Sequence, residues 1–267
     1  AKTLNKKAYI VIDNPTSSII PLMNTFRDNQ DYEADMFVNN HEAKEIMDDN
    51  TLLVVVDTNK PSITQCEDLL YMAKMIVVLD HHRQGSDTIR NSVLSYIEPY
   101  ASSASEMVAE ILQYFTEGIR IRNVEADSIY AGIMIDTDNF MQKTGVRTFE
   151  AAAFLRRCGA DVTRVRKLFR EDMNDYKARG ETIRNAELFR GQFAISECPS
   201  DYVDSPTVVG AQAANELLNI VGVKASFVLT EYKGVIYISA RAIDEVNVQI
   251  IMERMGGGGH LNMAGCQ

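Results

Sequence analysis

The sequence holds only four cysteines, Cys66, Cys158, Cys198 and Cys266, in 267 residues, and no two lie close together. That scatter excludes a disulfide framework and a thiolate metal site, and it fits a reducing compartment. Long hydrophobic runs are lacking too. The longest purely apolar stretches, such as Leu52–Val56 and Met75–Leu79, are five residues, against the roughly 18 that a membrane span needs. The opening residues, Ala1 to Lys7, lead straight into a strand-like run with no signal-peptide pattern. An initiator Met is also missing, which suggests a piece of a longer protein. There is no positive excess: the formal net charge is −10. Binding along a nucleic-acid backbone rests on Lys and Arg neutralising phosphates, so this acidic chain is poorly suited to long nucleic acid. Phosphate would have to be met by local positive charge, and a metal cluster held by carboxylates would supply it. No G-x-G-x-x-G follows the first strand-like run, which argues against a dinucleotide oxidoreductase.

What is present reads as an ordinary soluble globular chain, 46% apolar and 24% charged, long enough for two modest domains. Strand-like runs at Ala8–Ile12, Tyr32–Val38, Leu52–Val56 and Met75–Leu79 alternate with helical patterns at Thr16–Arg27, His41–Asp48 and Ile63–Lys74. This alternation predicts an α/β domain with a mostly parallel sheet. Beyond Tyr100 the pattern is helical, over Ala104–Phe115, Val124–Ile135, Arg147–Cys158 and Val162–Phe169. The charged stretch Glu171–Ala186 predicts a long connecting helix, with the domain boundary inside 171–188. Strands return at Phe193–Glu197, Ala225–Glu231 and Val235–Arg241, the last two flanking a hairpin-like Tyr232-Lys233-Gly234. Helices are expected at Val208–Leu218 and Val248–Met255, ahead of Gly256-Gly257-Gly258-Gly259-His260.

The chemistry concentrates where strong strands stop. Leu52–Val56 ends at Asp57, and Met75–Leu79 ends at Asp80-His81-His82. Functional groups of a parallel α/β sheet collect at the carboxyl ends of its strands, so Asp57 and the triplet are expected near each other. A third carboxylate, Asp136, follows Ile133-Met134-Ile135 and opens Asp136-Thr137-Asp138-Asn139-Phe140. Carboxylate oxygen and imidazole nitrogen suit Mn²⁺ and related divalent ions. His81 is a candidate metal ligand and His82 a candidate to reach a phosphate, with Asp80 holding an imidazole in one tautomer. The plainer reading of Asp57 is a helix N-cap ahead of Pro61 and Ser62, and His41 reads as a solvated surface residue. The glycine run exceeds the single residue a helix C-cap needs. Its backbone N–H groups can approach an anion closely. His260 adds a donor or a stacking ring, and Ser239 and Arg241 on the preceding strand are placed to face it. A flexible linker is the competing reading.

Taken together, Val54-Val55-Val56-Asp57-Thr58, Asp80-His81-His82, Gly132-Ile133-Met134-Ile135-Asp136-Thr137 and Gly256-Gly257-Gly258-Gly259-His260 resemble the DHH phosphoesterase superfamily with its DHHA1 substrate-binding domain. Asp136 through Ala152 is the most discriminating segment, and it resembles the GdpP-type cyclic di-AMP phosphodiesterases of Gram-positive bacteria. The resemblance implies an α/β fold: a parallel-sheet DHH domain over 1–170, a helical linker over 171–188, and a smaller α/β DHHA1 domain over 189–267. It implies Mn²⁺-dependent hydrolysis of cyclic di-AMP to linear pApA, with two ions. Asp57, His81 and Asp136 would be metal ligands, and His82 and Asp80 would be catalytic. Gly257, Gly258, Gly259 and His260 would hold the nucleotide across an interdomain cleft, with Arg241 and Ser239 added to the site from their place on the preceding strand. A homodimer is implied, as is a cytoplasmic location in a parent anchored in the membrane upstream. The family's first motif, His-x-x-x-Asp-x-Asp, is absent, which leaves three of six expected ligands and predicts weak or no activity for this chain alone. Two alternatives stay open: a short-oligonucleotide exonuclease of the same superfamily, and a non-catalytic module that binds cyclic dinucleotides.

Overall fold

The computed structural model describes residues 1–15, 19–170, 172–243 and 245–267. It divides into two compact units, Ala1–Phe169 and Arg170–Gln267. Part of the helix expected from Thr16 lies outside the described residues.

In the first unit, β1 (Ile10–Val11), α1 (Ile20–Arg27), β2 (Phe37–Val38), α2 (Asn40–Ile46), β3 (Leu52–Val56), α3 (Asp68–Met72), β4 (Met75–Asp80) and β5 (Leu94–Ile97) form the α/β part. All its strand pairs are parallel, but they fall into two pieces, β1–β2 and β3–β4–β5. Two expectations shorten. The strand read from Tyr32 begins only at Phe37, because the Met36 N–H turns back onto the Glu33 carbonyl. The helix read over Ile63–Lys74 is a 3₁₀ turn, Pro61–Ile63, followed by α3. There the Thr64 hydroxyl donates to the Pro61 carbonyl at 2.7 Å and Thr64 itself is extended, which stops the turn. The strand β5 was not anticipated, since Leu-Ser-Tyr-Ile is short and half polar. α2 is fixed at its start by a reciprocal cap between Asn39 and Glu42.

Four helices follow: α4 (Ala104–Tyr114), α5 (Asn123–Asp136), α6 (Val146–Arg157) and α7 (Val162–Leu168). They bury Ala126, Ile133, Ala151, Leu155 and Val165 against one another. Each fully buried Ile or Leu here contributes about 1.5–3 kcal/mol relative to exposure. The approach of α4 to α5 is close because Gly132 has no side chain. A Cβ at that position would lie 2.1 Å from Ser105 Oγ and 3.0 Å from Ser105 Cβ.

The second unit contains α8 (Met173–Arg184), β6 (Glu187–Phe189), β7 (Phe193–Cys198), α9 (Pro206–Leu217), β8 (Ala225–Tyr232), β9 (Val235–Ala242), α10 (Val248–Arg254), β10 (Gly258–His260) and β11 (Met263–Cys266). Its sheet runs β10-β11-β9-β8-β7-β6 and is antiparallel except for β7–β8. The charged stretch expected to connect the domains is α8. It packs into this unit: Ala178 and Thr182 are buried, and the Ser196 hydroxyl donates to the Thr182 carbonyl at 2.6 Å. One core lies under α8 and α9, around Val209, Ala213, Leu217 and Val228. The other lies under α10, around Ala240, Ala264, Val248 and Met252.

Replacing Gly132 with Ala is expected to destabilise the first unit by about 1–3 kcal/mol, the usual cost of overpacking. Ser105→Gly in the same molecule should recover most of that loss. Urea unfolding of the two single variants and the double variant checks both statements.

Candidate metal centre

The parallel ladder of β3 and β4 runs from Leu52↔Met75 to Val56↔Leu79. Both strands therefore end at the same level. The Asp57 N–H extends the ladder onto the Leu79 carbonyl at 2.9 Å. Asp57 then takes a left-handed backbone, φ 63°, a conformation that Asp and Asn reach more readily than other side-chain-bearing residues. It caps no helix: the residue ahead of the 3₁₀ turn is Lys60.

Three groups converge beyond the strand ends. His81 Nε2 lies 3.2 Å from Asp57 Oδ1 and 3.9 Å from Asp136 Oδ2. Asp57, His81 and His82 each offer a ligand atom, all within 4.8 Å of one another. Asp136 reaches the cluster as the last residue of α5. His81 Nδ1 is 3.4 Å from the Ala101 carbonyl. A carbonyl can only accept, so Nδ1 carries the proton in that contact and Nε2 presents its lone pair to the carboxylates.

An imidazole lone pair and a carboxylate oxygen at 3.2 Å repel unless something positive lies between them. The Asp57 carboxylate raises the His81 pKa above its ordinary value, so a proton can fill that role. Burial, and then the Asp57 charge, raises the pKa of Asp136. A divalent ion fits the same place. Ligand atoms bound to one ion at roughly 2 Å lie about 3–4 Å apart, which matches the two separations from His81 Nε2. Filling it means displacing the His81 proton, so affinity for the ion falls as pH drops.

Asp80 sits beneath this cluster with 0% of its surface exposed. Its Oδ1 accepts the backbone N–H of His82 at 3.1 Å and lies 2.7 Å from His82 Nδ1. The latter fixes the proton of His82 on Nδ1 and leaves Nε2 free. The His81 and His82 rings meet edge to face, centroids 4.5 Å apart. His41 lies apart from the cluster and pairs with Glu45 on the exposed face of α2.

The chain leaves Asp136 through an unusual turn. Asp138, Asn139 and Phe140 are all left-handed, with φ 47°, 57° and 67°. The Thr137 hydroxyl donates to the Ile133 carbonyl at 2.6 Å and accepts the Phe140 N–H at 3.0 Å. The Phe140 ring is held between Tyr130, centroid distance 5.5 Å, and Phe149, 5.9 Å. Arg147, at the start of α6, ties this segment back to α4 through paired bonds to Glu110 at 2.8 and 2.7 Å.

In the second unit the register places Ser239 opposite Gly265, which pairs with Gly258, and Arg241 opposite Met263, which pairs with His260. Paired residues share a sheet face, so Ser239, Arg241, Gly258 and His260 lie on one side. The glycine run differs from the expected cradle. Gly256 and Gly257 spend their N–H groups on the Glu253 and Met252 carbonyls, ending α10, and Gly258–His260 is a strand. A Cβ at Gly257 would lie 2.1 Å from the Gly265 carbonyl, and one at Gly259 2.5 Å from Ala264 Cα. The neighbouring strand therefore requires these two glycines. At Gly258 the space is open. Arg241 is partly buried: Nη1 donates to the Ala240 carbonyl at 2.9 Å, and Nε has no partner among the described residues. Burial lowers its pKa below the ordinary value.

Sequence reading missed Asn59. It is 3% exposed, with Nδ2 2.5 Å from Asp80 Oδ2. Its place in the polar run Asp57-Thr58-Asn59-Lys60 gave no periodicity by which to find it.

Residues 9–133 match the family model of the DHH family, N-terminal domain, and residues 192–267 match that of the DHHA1 domain. The chain belongs to the DHH family. It is 42% identical to the cyclic-di-AMP phosphodiesterase GdpP of Bacillus subtilis, covering 100% of this chain and 41% of that protein. It is 45% identical to the cyclic-di-AMP phosphodiesterase GdpP of Geobacillus thermodenitrificans, over 85% of this chain and 34% of that protein. The DHH chain thus spans less than half the length of these relatives. Among solved structures, an exopolyphosphatase-related protein from Bacteroides fragilis superposes with a TM-score of 0.82, covering 100% of this chain and 79% of its own. At 19% identity that likeness speaks for the fold. Among the described residues no helix is long and apolar enough to cross a membrane.

Gly257→Ala is expected to destabilise the second unit by about 2 kcal/mol or more, from the clash with β11. Gly258→Ala should leave stability within about 1 kcal/mol of the parent, despite glycine's greater backbone freedom. Thermal unfolding of the two variants side by side checks the contrast.

Proposed function

We propose that this chain is the catalytic portion of a metal-dependent phosphodiesterase that opens cyclic di-AMP to linear pApA. The observation that carries the reading is His81 Nε2 within 3.2 Å of Asp57 and 3.9 Å of Asp136. The substrate follows from the names of the relatives, which are longer proteins. Residues 1–170 are read as the phosphoesterase domain and 189–267 as the substrate-binding domain.

Asp57, His81 and Asp136 hold the cations. Two Mn²⁺ ions, when bound, neutralise phosphoryl oxygens and lower the pKa of a water beside them. His82, turned by Asp80, presents Nε2 to the phosphate, where it steadies developing charge or protonates the leaving 3′-oxygen. Gly258 and Gly259 bring backbone close to the nucleotide, His260 offers a ring edge, and Ser239 offers a hydroxyl. Arg241 suits a phosphate because its guanidinium is partly buried, with Nε unpaired among the described residues. The resemblance also supports a homodimer and a membrane anchor upstream in the parent protein.

The test is Mn²⁺ binding by calorimetry together with cyclic di-AMP turnover followed by chromatography, on the chain extended upstream by roughly 30 residues, the length of one strand–helix unit. Binding should be lost in His81→Ala and Asp136→Asn, and turnover should stop with a chelator. Mn²⁺ binding that survives both substitutions would overturn the ligand assignment. Turnover of short linear dinucleotides with none of the cyclic form would move the chain to the exonuclease reading. His82→Ala should lower kcat by about 10²- to 10⁴-fold, the usual worth of an acid–base group. Its KM should stay within about 3-fold, because a group acting only in the transition state leaves ground-state binding alone. Arg241→Ala should mainly raise KM. Steady-state kinetics separates the two.

A further inference from the structure

Asp80 is a fully buried carboxylate, and among the described residues no Lys or Arg pairs with it. A buried anion of this kind is tolerated only when donors satisfy its oxygens. Oδ1 is served twice by His82, through the backbone N–H and ring Nδ1. Oδ2 is served by Asn59, whose Nδ2 lies 2.5 Å away. The same Nδ2 donates to the His82 carbonyl at 3.3 Å. Both protons of the Asn59 amide are therefore committed to the Asp80–His82 turn. Its Oδ1 is buried and has no donor among the described residues. The side chain is thus held in place for its donors.

Asn59 is itself fixed by the chain. The Ile89 N–H donates to its backbone carbonyl at 2.9 Å, and Pro61 begins a 3₁₀ turn two residues later. By contrast, the His82 side chain is 55% exposed. Beyond its edge-to-face contact with the His81 ring, that exposure leaves the bond to Asp80 as the main restraint on its direction.

We infer that Asn59 is a positioning residue: it anchors the Asp80 carboxylate, which in turn sets the tautomer and direction of the His82 ring. The inference rests on the role proposed for His82 in phosphodiester cleavage. An Asp at position 59 could not substitute, since it would bring a second carboxylate against Asp80 in place of a donor. Asn59 also joins the exit of β3 to the exit of β4, the two segments that carry Asp57 and His81.

The test uses the same extended protein with Asn59→Leu, which keeps the size and removes the donors. The first readout is the ¹⁵N–¹H correlation spectrum of the histidine rings, which reports the tautomer without any turnover. His82 should be a single Nδ1–H tautomer in the parent and a mixture in Asn59→Leu. An unchanged His82 pattern overturns the inference. The second readout is kinetic. Asn59→Leu should lower kcat about 10- to 100-fold, with KM and Mn²⁺ affinity within about 3-fold. Asp80→Asn with Asn59→Leu should be no worse than Asp80→Asn alone, because residues acting through one chain are not additive. Multiplying effects, or equal losses of Mn²⁺ binding and kcat, overturn it. If Asn59→Leu fails to fold, Asn59→Ala carries the same expectations. If the extended protein turns over no cyclic di-AMP, the functional reading fails while the ring spectrum still decides the role of Asn59.

Discussion

A one-residue slip in the pairing of β3 with β4 would undo the site. The register from Leu52↔Met75 to Val56↔Leu79 sets where each strand ends. It therefore sets the level at which Asp57 and the Asp80-His81-His82 turn emerge. Because successive side chains of a strand alternate sides, a slip would also turn Leu53 and Val55 away from the core they share with Ile76 and Val78. Hydrophobic burial thus enforces the geometry of the polar cluster. The left-handed turn at Asp57 then aims its carboxylate at His81.

The electrostatics of the cluster follow from what surrounds each carboxylate. Asp80 is wholly buried and answered by neutral donors. Asp57 and Asp136 both face a single imidazole nitrogen. Two carboxylates outnumber the single ring even when it is protonated, which leaves a locally negative hollow within an already acidic chain. Such a hollow attracts a small, hard cation and repels bare phosphate. The phosphate chemistry proposed for this chain therefore depends on cations arriving first. Arg241 provides the contrasting case, a half-buried positive group in the second unit beside an open glycine.

The sequence exposed the parts of this arrangement that obey periodicity. Leu52–Val56 and Met75–Leu79 are unbroken apolar runs, so their ends, and hence Asp57 and His81, could be placed. Asp136 could be read from its motif, although it closes a helix and not a strand. Short or polar elements were hidden. β5 is four residues with a Ser and a Tyr, and α8 is too charged for its buried face of Ala178 and Thr182 to show. Gly257, Gly258 and Gly259 all read as ligand-facing, because nothing in sequence tells a glycine required by a ligand from one required by a neighbouring strand. Asn59 was invisible because its importance comes entirely from a partner 21 positions away.

The turn after Asp136 carries a long-range implication. A left-handed conformation at a phenylalanine is unfavourable by about 1–2 kcal/mol, and Phe140 is kept there by the rings on either side of it. Phe149 belongs to α6 and touches none of the proposed ligands, yet it is one of those two rings. The turn that follows Asp136 is therefore braced by aromatic stacking four residues down the chain and one helix over. A change at position 149 would thus reach the turn after Asp136 through ring contact alone, with Asp136 itself unchanged.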